Sequence, residues 1–553
     1  MASQKRVCVI GAGVSGLLAI KECLAEGFLP TCYESDSDIG GTWNQSKDPA
    51  HTLTPMVWDS LVVNTPGYLT LASDFPPPPE LTPYFSWKEM KSYWDRYADH
   101  FKLRPYIHLN TQVVKVRRAS DHTATGRWEV NTAPHSGRSN EKTPEQVEKI
   151  TTEIFDAVIV CSGYYRVPRY PSVPGMETFP GSVTHSFFHK SRHPYFGKKV
   201  LVVGCGLSAV DVAEDIARDA ESTAMALGHG IWIMPRLASG GIPLLEKIPR
   251  RFFHSPHVEV LINNFKMYEG GQFLDHTGSR VRPNALPCVS PGGVSNNFQL
   301  DVMSGKIQIY SYLKRLSGRT AFFSDGSSVN EIDAIVFCTG YDTDLSMLED
   351  NIIDENGRME LYHMVFPLDR SHNTLLFVGQ MGSDIALPPV SELQARMATK
   401  VLAGKVELPP QRKMRQCVDS LNEATLRRRK RYSYFLPGFK MMENIAVDLG
   451  VYPSFCTLLL RDPMLAWRVW YGPIYSAHYR LLGPDNNWED ARRISHLAYE
   501  SRGKFSHTHR TVEPLVRNDV KAARRQRAIR VFFTLVLPIC ASTLLYSFHC
   551  RGR

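Results

Sequence analysis

Two glycine-rich turns carry the residue types and spacing that best indicate chemistry in this chain. Each turn follows a short apolar run and leads into a helical pattern, as in a dinucleotide-binding unit. The first glycine makes the tight turn, the second lets the backbone approach the pyrophosphate, and the helix N-terminus binds the phosphates. The turns comprise Gly11, Ala12, Gly13, Val14, Ser15 and Gly16, and then Gly204, Cys205, Gly206, Leu207, Ser208 and Ala209. Because a protein with two dinucleotides usually passes electrons between them, the pair predicts redox chemistry.

The charged residues that follow the two turns distinguish the two cofactors. Glu34 ends the second apolar stretch of the first unit, where a carboxylate accepts hydrogen bonds from a ribose 2′-OH and repels a 2′-phosphate. The second unit has no Asp or Glu from residue 222 to residue 245, and its strand-like run ends at Arg236. An arginine at that position pairs well with a 2′-phosphate. The first site therefore suits FAD or NAD, and the second favours NADPH.

The elements that must position these residues alternate between strand and helix patterns, which predicts an α/β fold with two Rossmann-like domains. Residues 1–165 are predicted to form the first part of an FAD-binding domain, and residues 166–330 the NADPH-binding domain. Residues 331–527 are predicted to form the second part of the FAD-binding domain, because the run 334–340 nearly repeats the run 158–163. The FAD-binding domain would thus be split by the NADPH-binding domain. From about residue 400 onward the pattern is mainly helical.

A set of motifs in a fixed order accompanies the two turns. Gly41, Thr42 and Trp43 follow the first unit, and Asn64 and Thr65 come next. The pattern F-x-G-x-x-x-H, formed by Phe179, Gly181 and His185, precedes the second turn, and later segments contain Gly340, Glu392, Gln394 and Arg396. This set resembles the flavin-containing monooxygenases of the microsomal dimethylaniline monooxygenase type over nearly the whole chain. The resemblance adds a membrane-associated role for the helical part of residues 331–527.

The resemblance implies a role for each matching position. FAD would be bound by Gly11, Ala12, Gly13, Val14, Ser15, Gly16, Glu34, Gly41, Thr42 and Trp43, with Val63, Asn64 and Thr65 beside the flavin. NADPH would be bound by Gly204, Gly206, Ser208, Ala209, Val210, Asp211 and Arg236. Glu392 and Gln394 lie in the segment that would return to the flavin, and Asn64 would be the catalytic residue.

The family chemistry uses both cofactors. NADPH reduces FAD, and the reduced flavin reacts with molecular oxygen to give a C4a-hydroperoxyflavin, which oxygenates a soft nitrogen or sulfur atom of a small molecule. The cofactor does the hard chemistry, while the protein positions it and excludes water. Asn64 would orient the flavin and the nicotinamide through amide hydrogen bonds.

Three departures from the family pattern leave alternatives open. His189 stands where the family has an aromatic residue, Leu237 stands where a second arginine is common, and Thr65 is followed by Pro66, Gly67 and Tyr68. A Baeyer–Villiger monooxygenase acting on ketones and an NADPH oxidase or reductase releasing hydrogen peroxide therefore remain alternatives. A catalytically silent binding protein is disfavoured by the intact glycine turns. His185 is interpreted as structural, and His189 has no predicted role.

Composition excludes several other classes of protein. The formal net charge of +9 is moderate, and no aromatic-interleaved basic module accompanies it, so nucleic acid is not expected as a partner. The 11 cysteines show no CxxC pair and no metal-ligand spacing, which indicates reduced thiols, no metal site and no disulfide reductase. The chain is long enough for two or three domains with buried cores. The sequence leaves open whether the chain forms a homo-oligomer.

A hydrophobic segment near the C-terminus predicts a membrane anchor at residues 528–550. Residues 531–548 carry no charge and follow a basic run that contains Lys521, Arg524, Arg525, Arg527 and Arg530. As a helix this segment would be about 27 Å long, which just matches the core of an endoplasmic reticulum bilayer. A monotopic hairpin or a buried terminal helix is the alternative. We therefore expect membrane lipid as a partner, and an endoplasmic reticulum enzyme whose catalytic part faces the cytosol.

Overall fold

The computed structural model describes most of the chain up to residue 502. The described residues are 4–45, 52–55, 57–78, 82–135, 150–238, 241–247, 251, 267–284, 286–287, 292–368, 371–429 and 434–502. They all belong to one compact unit, Met1–Lys504. The predicted anchor at 528–550 lies outside the described residues. Within the described part of the chain, no helix is both long enough and apolar enough to cross a membrane.

The first sheet has five parallel strands, in the order Leu375–Phe377, Ala157–Val160, Arg6–Ile10, Leu29–Tyr33 and Ile107–His108. Its central strands are almost wholly buried, as expected for a parallel sheet covered on both faces. Helix Val14–Ala25 begins within the first glycine turn and connects strand Arg6–Ile10 to its neighbour Leu29–Tyr33. The sheet confirms the predicted α/β class, and its outermost strand comes from far along the chain.

The second sheet also has five parallel strands, in the order Ile307–Tyr310, Ser222–Ala226, Lys199–Val203, Ala334–Phe337 and Ser182–His185. The prediction that Ala334 returns the chain to the first sheet is therefore wrong. Ala334–Phe337 resembles Ala157–Val160 because each is the parallel neighbour of a strand that leads into a glycine turn. The second sheet consequently extends past residue 330, and the chain rejoins the first sheet at Leu375–Phe377.

Shorter strands flank these two sheets. Two three-stranded antiparallel sheets comprise Thr111–Arg118, Trp128–Pro134 and Thr151–Phe155, and Leu313–Ser317, Thr320–Phe323 and Ser328–Val329. The two-stranded pairs are Trp232–Met234 with Gly292–Val294, Val167–Pro168 with Tyr341–Asp342, Leu361–Tyr362 with Phe366–Pro367, and Gly382–Ser383 with Phe435–Leu436. The pair Val167–Pro168 and Tyr341–Asp342 joins the segments through which the chain enters and leaves the second sheet.

Helices cover the sheets and dominate the described residues between 387 and 502, in agreement with the helical pattern predicted from about residue 400 onward. The helices are Val14–Ala25, Trp87–His100, His122–Thr125, Leu207–Ile216, Leu244–Lys247, Phe298–Met303, Leu387–Leu402, Gln411–Arg429, Gly438–Asp448, Phe455–Arg461, Pro463–Tyr471 and Trp488–Ser501. Leu387–Leu402 is buried on nearly all sides because it packs between Val14–Ala25 and Gly438–Asp448. This packing brings the later part of the chain against the first glycine turn.

Candidate active site

The first glycine turn has no room for larger residues. Gly11 has φ of +98°, and a Cβ atom there would lie 2.8 Å from the carbonyl oxygen of Cys161. A Cβ atom on Gly16 would lie 1.9 Å from the carbonyl oxygen of Gly11. Helix Val14–Ala25 starts after Gly13 without a side-chain cap and without an acidic residue in its first turn. Its N-terminus therefore suits a pyrophosphate group.

The segment Gly41–Trp43 lies directly on this turn. The Gly40 backbone N–H donates to the carbonyl oxygen of Ala12 over 3.0 Å. A Cβ atom on Gly13 would lie 3.5 Å from the Cα atom of Gly41. The structure thus brings Gly41, Thr42 and Trp43 to the first turn, although they are far from it in sequence.

Glu34 also contacts the first turn. Its carboxylate accepts a hydrogen bond from the Ala12 backbone N–H at 2.6 Å and one from the Asp36 N–H at 2.8 Å. Burial, together with the nearby Asp36 charge, raises the pKa of Glu34 despite these hydrogen bonds. The carboxylate lies at the end of strand Leu29–Tyr33, where a ribose hydroxyl is expected in this type of fold.

In the second glycine turn, Gly204 is tightly packed against the backbone, whereas Gly206 faces open space. A Cβ atom on Gly204 would lie 2.4 Å from the carbonyl oxygen of Cys338, so this position requires glycine. A Cβ atom on Gly206 would have no heavy atom within 4 Å. Helix Leu207–Ile216 begins there without a side-chain cap or an acidic first turn. The open space above an uncapped helix start fits a second pyrophosphate. Ser208 is half-buried, whereas Ala209 and Val210 are fully buried and pack in the core of the second sheet.

Asn64, Asp211 and Arg236 form one hydrogen-bonded cluster. The Asn64 side chain donates from Nδ2 to the Asp211 carboxylate at 3.1 Å, and its Oδ1 accepts from Arg236 Nη2 at 2.7 Å. Arg236 Nη2 also lies 3.9 Å from the other Asp211 oxygen. Burial raises the pKa of Asp211 to about 6, although Arg236 and Asn64 oppose that rise. The cluster joins the loop that contains Asn64, after the first unit, to two elements of the second unit. These are helix Leu207–Ile216, which contains Asp211, and the end of strand Trp232–Met234, near Arg236.

Backbone contacts hold the cluster in place. Val63 is buried, and its backbone N–H donates to the carbonyl oxygen of Phe85 at 2.8 Å. The Arg236 carbonyl oxygen accepts from the Tyr84 hydroxyl at 2.5 Å, and its backbone N–H donates to Asn296 Oδ1 at 2.8 Å. After Asn64 the chain forms a short 3-10 helix, Gly67–Leu69, and the Thr70 hydroxyl donates to the carbonyl oxygen of Thr65 at 3.2 Å.

Glu392 and Gln394 stabilise neighbouring segments. Glu392 accepts from the Ser73 backbone N–H at 2.9 Å and from Arg480 Nη2 at 3.0 Å. The Gln394 side chain accepts from the Gly379 N–H at 2.9 Å. Their helix reaches the first turn through a 3.1 Å contact between the hydroxyls of Ser15 and Ser391. These side chains therefore support the first site from the side of the helix.

The two histidines that flank the second unit differ in role. His185 accepts at Nδ1 from the Phe187 backbone N–H at 3.1 Å. Burial lowers the pKa of His185 to about 4, although a contact with the Gly340 backbone opposes that shift. It therefore acts as a neutral residue that holds the turn, in agreement with the structural interpretation. His189 has a buried partner, because its Nε2 lies 3.0 Å from Asp215 Oδ2.

Sequence reasoning missed several residues of this region. Asp215 follows Asp211 by four residues on one helix, and that spacing could have indicated two carboxylates on one face. No sequence spacing indicates Tyr84 or Asn296, because they are distant from Arg236 in the sequence and folding alone brings them into contact with it. Arg480 lies 88 residues after Glu392 in the sequence, so this pairing could not be inferred from spacing.

A family comparison agrees with this geometry. The family model described as flavin-binding monooxygenase-like matches residues 4–544. The chain belongs to this family. It is an FAD-dependent monooxygenase that uses NADPH as reductant.

Relatives of this flavin-binding monooxygenase cover nearly all of it. Dimethylaniline monooxygenase (N-oxide-forming) 2 of Pan troglodytes is 33% identical over 504 residues, covering 88% of this chain and 90% of the relative. The structure of S-allyl-L-cysteine S-oxygenase from Allium sativum matches with a TM-score of 0.60 and 22% identity, covering 90% and 99% of the two chains. Cyclohexanone monooxygenase from Rhodococcus sp. Phi1, bound to NADP⁺, matches with a TM-score of 0.57 and 16% identity, covering 80% and 97%. The likeness to these two structures supports the fold.

Proposed function

We propose that this enzyme oxygenates soft nucleophilic nitrogen or sulfur atoms of small molecules, with NADPH and molecular oxygen as co-substrates. The observation that carries the proposal is the cluster of Asn64, Asp211 and Arg236, in which a residue of the first unit is held directly by the second. An enzyme that reduces a flavin and then oxygenates a substrate needs its two cofactors in a fixed relation. The N-oxide-forming relative supports nitrogen as one acceptor atom.

Each group of residues has a proposed task. The first turn, with Glu34 and Gly41, would bind FAD, and the second turn, with its open Gly206, would bind the NADPH pyrophosphate. When bound, the reduced flavin supplies the oxygen-activating chemistry. Asn64 has an amide whose two ends are both held, so its orientation is fixed before any substrate arrives. Arg236 would link recognition of the 2′-phosphate to the same amide.

The fold alone does not decide the reaction, because an S-oxygenase and a ketone-oxygenating enzyme share it. The deciding experiment uses the purified yellow protein, reduced anaerobically with NADPH and then mixed with oxygen and one candidate substrate. A tertiary amine or a thioether is expected to give N-oxide or sulfoxide in proportion to NADPH consumed. Ester formation from a ketone would instead establish Baeyer–Villiger chemistry. Stoichiometric hydrogen peroxide with every substrate would establish an oxidase.

We further propose that residues 528–550 attach the enzyme to the endoplasmic reticulum membrane, with the catalytic part in the cytosol. The support is the uncharged run 531–548 and the basic residues that precede it. Fractionation of cells expressing the full chain, beside a chain ending at residue 527, tests this proposal. Membrane recovery that survives alkaline washing only with the segment present is the expected result. Equal recovery of both chains in the supernatant would contradict it.

A further inference from the structure

Three hydrogen-bonded polar residues, of which two are buried and Ser60 is half-buried, lie one helical turn from the Asn64 cluster. His189 Nε2 is 3.0 Å from one oxygen of the Asp215 carboxylate, and the Ser60 hydroxyl donates to the other oxygen at 2.5 Å. The side chains of His189 and Asp215 are 0% and 3% exposed. The His189 Nδ1 atom has no hydrogen-bond partner among the described residues. Both carboxylate oxygens are thus used to join two segments that are distant in sequence.

The direction of these hydrogen bonds follows from the state of Asp215. Burial raises the pKa of Asp215, but the hydrogen bonds from His189 and Ser60 outweigh it, and the net pKa lies below its ordinary value. Asp215 therefore accepts, and His189 carries its hydrogen on Nε2. Arg192 lies 3.6 Å from the carboxylate and is itself paired with Asp219. The carboxylate would consequently keep a positive neighbour if His189 were replaced.

Ser60 belongs to the segment that carries Asn64. A turn over residues 58–61 is closed by the Leu61 N–H donating to the Trp58 carbonyl oxygen at 3.0 Å. The Asp59 N–H donates to the carbonyl oxygen of Lys190, the residue after His189, at 3.0 Å. The same helix, Leu207–Ile216, therefore holds this segment at two points, through Asp215 at Ser60 and through Asp211 at Asn64.

The ring of His189 also fills space between aromatic residues. Its centroid is 5.9 Å from that of Tyr195 in a stacked arrangement and 5.7 Å from that of Trp58. An aromatic residue, as the family pattern has at this position, would fill the same space without donating to Asp215. The hydrogen bond is therefore what this chain adds by having histidine there.

We propose that His189 is a positioning residue, which acts through Asp215 and Ser60 to fix segment 58–64 on helix Leu207–Ile216. Fixing this segment sets the place of Asn64 between Asp211 and Arg236. The contribution of His189 to efficient oxygenation rests on the proposed function, whereas its contribution to local order does not.

Hydrogen exchange of the full-length protein, followed by mass spectrometry, tests the structural part. His189→Phe keeps the ring and removes the donor, whereas His189→Gln keeps a donor nitrogen at similar reach. We expect amides of residues 57–64 to exchange on the order of tenfold faster in His189→Phe and in Ser60→Ala, as for loss of one charge-assisted hydrogen bond. His189→Gln should exchange like the wild type. The control His496→Phe breaks another histidine–aspartate pair, with Asp462, and should leave residues 57–64 unchanged. Equal exchange of residues 57–64 in His189→Phe and wild type would overturn the proposal.

The ratio of hydrogen peroxide to oxygenated product per NADPH tests the functional part. His189→Phe and Ser60→Ala should each raise this ratio, and the double variant should raise it no further, because both break one chain of contacts. His189→Gln should restore the wild-type ratio. Additive effects, or faster exchange with an unchanged ratio, would overturn the positioning role. If the wild type itself made only peroxide, the proposed function would be wrong. The hydrogen-exchange experiment alone would then test whether His189 orders residues 57–64.

Discussion

Replacing Asn64 tests the cluster directly. Asn64→Ala removes both a donor to Asp211 and an acceptor for Arg236, and leaves these two charged groups 3.9 Å apart with nothing between them. Asn64→Asp keeps an acceptor for Arg236 but places a carboxylate against the Asp211 carboxylate. Because the pKa of Asp211 is already raised to about 6, the two acids would share a proton near neutral pH. Either change should remove the amide that bridges Asp211 and Arg236 without disturbing the two glycine turns.

The size of the effect follows from the bonds that are lost. A hydrogen bond to a charged group contributes about 1.5–3 kcal/mol, so losing it should lower the ratio of oxygenation to peroxide release about 10- to 150-fold. Asp211→Asn keeps an acceptor and loses only the charge, and its effect should be smaller. Asn330→Ala is a matched control, because Asn330 is exposed and bonded only to the Thr320 hydroxyl in the part of the chain described.

The assay follows NADPH consumption, hydrogen peroxide and oxygenated product in the same reaction, after anaerobic flavin reduction has been measured separately. We expect near-normal flavin reduction and a sharp loss of product in both Asn64 variants. A normal product yield from either Asn64 variant would refute the role assigned to this residue. Loss of bound flavin in these variants would also refute it, because the first turn, Glu34 and Gly41 are expected to retain FAD when the Asn64 amide is lost.

Three further predictions follow from single positions. Gly206→Ala should raise the KM for NADPH and leave the melting temperature unchanged, because its Cβ atom would enter open space at the helix start. Gly204→Ala should instead lower the melting temperature, because its Cβ atom would lie 2.4 Å from the Cys338 carbonyl oxygen. A lower melting temperature for Gly206→Ala would contradict this. Arg236→Gln should raise the KM for NADPH more than the KM for NADH and should also increase peroxide release, because Nη2 is bonded to Asn64; an unchanged peroxide yield would show that the two roles are separate. Glu214→Gln should stabilise the fold at pH 8 but not at pH 4, and melting curves at the two pH values measure the gain. Burial raises the pKa of Glu214 from 4.5 to about 7, so the folded state opposes ionisation of this carboxyl group. The wild-type fold therefore loses stability as pH rises from 4.5 to about 7, by about 3 kcal/mol at most.

The glycine turns were predictable because their chemistry is local. A turn with no room for a Cβ atom, as at Gly11 or Gly204, requires glycine, and that glycine is visible in the sequence. The sequence predicts the wrong sheet for strand Ala334–Phe337, because an apolar run specifies a buried strand but not its partners. Only the pairing with Lys199–Val203 distinguishes the two sheets, and pairing depends on residues far away in the chain.

The cluster at Asn64 could be predicted only in part, for a related reason. Family resemblance indicates Asn64, Asp211 and Arg236 one at a time, as residues of different cofactor sites. Their contact depends on how the loop after the first unit meets the second sheet, which no spacing encodes. The same holds for His189, whose departure from the family pattern is visible in the sequence but whose partners Asp215 and Ser60 are not.

One helix connects these observations. Leu207–Ile216 begins at the open Gly206, holds Asn64 through Asp211, and holds Ser60 through Asp215. Its N-terminus is where the NADPH phosphates would bind, so any shift of the helix on binding must move both contacts to the Asn64 segment together. A rigid helix transmits such a shift along its length because its backbone hydrogen bonds resist local bending. The position of Asn64 is therefore tied to the second unit at two points, and a single contact would leave the segment free to pivot.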